Sequence, residues 1–179
     1  MKKGAKTALG AIVGALSVSL MFSAALLPMF TYAVPAAAAV LLIPVVIEAG
    51  KKWAAGVYAA VSMLGVLTVP DKEAALMYAF FFGYYPIIKA FLEQKLPSVA
   101  CWAVKIVLFN VSVTAAYFLM VKLLGLPFDE LERYGAAIIP ALLGIGTAAF
   151  VLYDYALTKM VGTYLVKWQK VFRKIFKLA

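Results

Sequence analysis

Six apolar runs, separated by lysines, prolines and short polar connections, limit what this chain can fold into. They cover residues 7–27, 34–49, 53–68, 74–92, 99–124 and 135–158. A helix needs about 20 apolar residues to cross the hydrocarbon core of a bilayer, and each run approaches that length. With 66% hydrophobic residues and a mean hydropathy of +0.99 over 179 residues, the chain carries more apolar surface than one soluble core buries. The expected fold is therefore an all-α integral membrane protein, a bundle of six transmembrane helices. Most connections are short, as antiparallel neighbours require. The second and third runs fit two spans, a re-entrant pair, or a helix broken at Pro44, since the second run contains Pro35 and Pro44.

Cations fix the expected orientation, because Lys and Arg accumulate on the cytoplasmic side. An inside N terminus puts Lys2, Lys3, Lys6, Lys51, Lys52, Lys89, Lys95, Lys105 and every cation from Lys159 onward near the cytoplasm. Outside fall Lys72, Lys122 and Arg133, with Asp71, Glu73, Asp129, Glu130 and Glu132. Three cations against five acids leave the outside at −2 and the remainder of the chain at +11, within the total of +9. Both termini are thus expected in the cytoplasm, with the protein multi-pass in a prokaryotic plasma membrane. The start, Met1-Lys-Lys before an apolar run, also has the outline of a signal peptide, with small residues at Ala24, Ala25 and Ala33. The run 7–27 exceeds an ordinary signal core and is taken as the first span.

Residues 1–160 are expected to form the transmembrane domain and 161–179 a basic amphipathic cytoplasmic helix. In that tail Leu165, Trp168, Val171, Phe172, Ile175 and Phe176 share one helical face, and Lys167, Lys170, Arg173, Lys174 and Lys177 the opposite one. Such a helix suits an anionic inner leaflet, anchorage of the last span, or docking of a cytoplasmic partner. The same placement of charge argues against nucleic acid as the partner.

The sequence has no His and one Cys, Cys101. His-dependent hydrolysis, ordinary zinc sites and an internal disulfide are excluded or badly handicapped. No phosphate loop, paired-carboxylate site or metal cluster stands out, so neither enzymatic activity nor a cofactor is expected.

Two constellations remain. Ionisable groups within spans are costly, by at least about 2.5–3.5 kcal/mol at mid-bilayer, and Glu48, Lys89, Lys105 and Asp154 fall within or at the edge of spans. They suit a charge cluster that ties helices together or meets a partner; snorkelling of each to the interface is the alternative. Asn110 lies near the middle of the fifth run with Tyr117 two turns on, while Tyr78, Tyr84 and Tyr85 surround the stretch FFFGYYP. Aromatic rings and an amide facing one another suit a flat, weakly polar ligand, or packing alone.

The first run reads TALGAIVGALSV, with Gly10 and Gly14 four apart and Ala11 and Ala15 at the same spacing one residue on. Small residues so spaced let helix backbones approach closely in lipid, within the bundle or against a partner. With six apolar runs and an inside N terminus, this first helix makes residues 5–160 resemble the substrate-binding S-component of an energy-coupling factor (ECF) transporter. The resemblance implies a vitamin or similar micronutrient bound in the outward half of helices four to six, where Asn110 and Tyr117 fall. It also implies docking of a membrane-embedded coupling subunit on Ala11 and Ala15, and ATP hydrolysis by two separate ATPase subunits. The alternative from another class is a small polytopic scaffold that recruits cell-envelope machinery through the charge cluster and the basic tail.

Overall fold

The computed structural model of the chain describes residues 3–26, 28–122 and 139–175. Outside the described residues lie Leu27, the connection expected on the outside with Asp129, Glu130, Glu132 and Arg133, the beginning of the sixth run, and Phe176 and Lys177 of the tail. The described residues are mostly helical and include no strand. Four helical runs are long and apolar enough to cross a membrane: Lys3–Leu26, Lys72–Lys95, Ser98–Lys122 and Ile139–Phe172. That is what a membrane-embedded protein requires.

The first run is α1, Lys3–Phe22, finished by a 3₁₀ turn at Ser23–Leu26. The second is not one long helix. Its α2, Ala33–Val40, tightens at Leu41 and Leu42, whose amides donate to Ala38 and Ala39. Pro44 has no N–H to return to Val40, so regular α geometry stops one turn before it. A π-helical turn, Val45–Ala49, follows, and the whole apolar stretch Ala33–Ala49 stays short of a full span. Gly50, at φ 94°, reverses the chain into α3, Lys51–Thr68, in a conformation that favours glycine.

Asp71 caps α4, Lys72–Met77, by accepting from the Ala74 amide at 3.0 Å. A π turn, Tyr78–Phe82, leads to α5, Tyr85–Lys95, which opens on Pro86, a residue suited to the first turn of a helix. This interrupted span is the most buried of the four. Then come α6, Ser98–Lys122, and α7, Ile139–Thr163, continued through a π turn at Tyr164–Trp168 into α8, Gln169–Ile175. The expected boundary between residues 160 and 161 falls inside this continuous helix.

The outer surface is apolar. Ile12, Leu16, Met63, Leu67, Val107, Val111, Phe118 and Leu152 are all at least half exposed. Water would penalise such a surface, whereas lipid tails match it. Inside, α1, α2 and α3 share one core around Leu9, Leu42, Val61 and Tyr78. A second core joins Phe81 and Tyr85 to Phe109 on α6 and Phe150 and Leu157 on α7.

The tail does not stand apart from the bundle. Tyr164 is buried, Phe172 packs on both cores, and Gln169 donates to Glu48 at 2.9 Å. In a regular α-helix Trp168 would follow Tyr164 on the same face; the π turn adds one residue, so Gln169 occupies that line and Trp168 is half exposed. Leu165, Trp168 and Val171 are exposed, while Phe172, expected on the same face, packs inward.

Candidate functional site: a buried ionic knot

Three helices meet at Asp154. Its carboxylate accepts from Lys89 Nζ of α5 at 2.5 Å, from Lys105 Nζ of α6 at 3.1 and 3.2 Å, and from the Tyr85 hydroxyl at 2.5 Å. Both lysines also reach Glu93 Oε1, at 2.7 and 2.6 Å. Lys89, Lys105 and Asp154 are at most 5% exposed, and only Glu93 opens toward the outside. Two cations and two anions leave the knot formally neutral.

Desolvating four charges is expensive, and their mutual attraction offsets it only where geometry and hydrogen bonding are good. Here every buried charge has several partners. Next to the knot, rings form a low-dielectric wall: Phe109 and Phe150 stack at 4.9 Å, Phe81 meets both edge-on, and Tyr85 packs on Phe150 at 5.2 Å. Tyr85 therefore joins the two layers, its ring in the aromatic cluster and its hydroxyl on Asp154.

Of the four ionisable residues singled out in the sequence, Lys89, Lys105 and Asp154 come together. Glu48 does not join them; it lies on the π turn before α3 and binds Gln169. Glu93 takes the second acidic position. It is visible in the sequence as the residue four beyond Lys89, a spacing that puts both on one helical face.

The expected ligand residues fall into two groups, Tyr78, Tyr84 and Tyr85 around the rings of Tyr58 and Phe81, and Asn110 and Tyr117 along α6. Tyr78 and Tyr85 are fully buried. Tyr78 packs against Gly83, where an added Cβ would lie 2.7 Å from its ring. Tyr84 hydrogen-bonds Ser112 across to α6. Asn110 donates to Thr147 Oγ1 at 3.3 Å and to its own helix at Ile106, bridging α6 and α7. Tyr117 is half-buried further along α6. Ser112 and Thr147 had no sequence signal, since each hydroxyl acquires meaning only from the helix it faces.

The small residues of α1 divide by face. Gly10 and Gly14 point at α3: a Cβ on Gly10 would come within 2.8 Å of Val57, and one on Gly14 within 3.5 Å of Val61. Residues four apart on α1 thus meet residues four apart on α3, and the two helices run parallel. Ala11 and Ala15 are exposed and line a groove of about 920 Å³ between α1 and α3, together with Gly56 and Ala60. Lys6 and Lys52 stand at one end of it, Ser19 and Thr68 at the other.

Among the described residues, no group of His, Cys, Asp and Glu side chains could hold a metal ion. The single cysteine, Cys101, is free and buried. No protein-family model, no curated protein and no solved structure matches this chain.

Proposed function

We propose that the chain is the substrate-binding membrane subunit of an ECF-type importer for a vitamin or related micronutrient, with six spans and both termini in the cytoplasm of a prokaryotic cell. The observation that carries this reading is the division of the small residues on α1. Gly10 and Gly14 are used up in packing on α3, while Ala11 and Ala15 remain exposed in a groove floored by small side chains from both helices. A partner helix in lipid is held by such close backbone approach rather than by hydrophobicity. The coupling subunit would dock there, and two ATPase subunits would supply the energy from the cytoplasm. The micronutrient would meet Asn110, Tyr117 and Tyr84, which are less enclosed than Tyr78 and Tyr85. The scaffold reading is weaker, because Lys89, Lys105 and Asp154 are spent on one another and offer no surface for recruitment.

The test combines purification with uptake. The purified chain should release a small molecule detectable by mass spectrometry and copurify with a coupling subunit and two ATPases. Replacing Ala11 and Ala15 together with Trp should abolish uptake and leave the bound molecule in place. Uptake that survives this substitution would overturn the docking assignment.

A further inference from the structure

A cavity of about 420 Å³ lies beside the knot, between the π turn before α3, α5 and the end of α7. Its walls differ in character along their length. Lys51, Glu93 and Gln94 sit where α3 begins and α5 ends, the level of lipid headgroups in a membrane-spanning bundle. Ile43, Val46, Leu157 and Val161 supply apolar walls, and Pro86 lies seven residues, about 10 Å, deeper along α5 than Glu93. Protein interiors are close-packed, and a void of this size next to lipid needs a filling.

The charge around it is unbalanced in one direction. Lys89 and Glu93, the other two charged residues that line it, are both neutralised within the knot. Lys51 has no carboxylate within ion-pair distance among the described residues. Its ammonium donates to the Ala90 carbonyl at 3.2 Å and to Gln94 Oε1 at 2.8 Å and lies 5.4 Å from the centre of the Phe91 ring, so among the described residues its charge is met only by neutral groups. The cavity is thus fitted for one negative charge at headgroup level and one apolar chain below it.

We propose that this cavity holds one anionic phospholipid, its phosphate on Lys51 and an acyl chain along Val46, Leu157 and Val161. The site is separate from the basic tail and from the groove between α1 and α3. It does not depend on the transport reading.

The experiment uses the delipidated full chain in neutral detergent. Its unfolding midpoint is measured with added dioleoyl phosphatidylglycerol, dioleoyl phosphatidylcholine, or glycerol 3-phosphate alone. The anionic lipid should raise the midpoint by several degrees more than the zwitterionic one, and glycerol 3-phosphate should raise it little. Lys51→Gln should remove most of that difference, and Lys52→Gln, whose side chain lines the other groove, should retain it. Val161→Phe, which fills the cavity and keeps every charge, should reduce the difference as well and serves if Lys51→Gln does not fold. Equal shifts from both lipids, a difference unchanged by Lys51→Gln or Val161→Phe, or a full shift from glycerol 3-phosphate would overturn the proposal. Loss of the difference in Lys52→Gln alone would move the lipid to the other groove and overturn it too.

Discussion

Lys89 Nζ and Asp154 Oδ1 lie 2.5 Å apart inside the bundle, joining α5 to α7 at residues 65 positions apart in sequence. Asp154→Asn leaves two buried ammonium groups facing one carboxylate. The expected loss is about 3–5 kcal/mol of stability, the cost of breaking a buried pair from one side. Thermal unfolding in detergent checks it, and a loss below about 1 kcal/mol, the scale of an exposed pair, would contradict the knot. The double substitution Lys89→Met with Asp154→Leu should cost less than the two single losses combined, since it removes opposite charges together.

Tyr85→Phe keeps the ring on Phe150 and removes only the hydroxyl from Asp154. A hydrogen bond to a charged acceptor is worth about 1.5–3 kcal/mol, so unfolding should shift by that amount. Tyr84→Phe, which breaks the bond to the Ser112 hydroxyl, should cost less, about 0.5–1.5 kcal/mol.

Gly10→Val forces side-chain atoms into Val57 and should destabilise by about 1–3 kcal/mol, with partial recovery on adding Val57→Ala. Gly56→Ala meets open space and should leave stability almost unchanged. Comparing the two unfolding midpoints separates packing within the bundle from the exposed groove.

Asn110→Leu removes the link to Thr147 across α6 and α7. Interhelical bonds of this type average about 0.6 kcal/mol in membrane proteins, so its effect on unfolding should be small. In the proposed importer, its effect on retention of the bound small molecule should be far larger, and equal small effects on both would remove Asn110 from the ligand site.

The helical class and the apolar surface follow from the apolar runs, and four described helical runs are long and apolar enough to cross a membrane. Of the other two expected spans, 34–49 is too short and broken, and 53–68, which lies in α3, is not among the four. Pro44 marks the break in the second run because a missing N–H acts locally. The pairing of Lys89, Lys105 and Asp154 was legible because uncompensated charge within a span needs a partner. Glu48 was misleading: its position at the edge of a span fits the knot equally well in one dimension, and only the π turn at Val45–Ala49 directs it to Gln169. The tail shows the same limit. A helical wheel assumes 3.6 residues per turn, and the π turn at Tyr164–Trp168 adds a residue that moves Gln169 and Phe172 inward.

The knot also has an electrical consequence. Moving one elementary charge through the membrane potential involves about 2.3 kcal/mol per 100 mV. Lys89, Lys105, Glu93 and Asp154 together carry none, so displacing the knot as a unit along the membrane normal would perform no net electrical work through them. Any voltage dependence of a movement of these helices would come from their other charges, Lys95, Lys122 and Lys159 among them, and not from the knot.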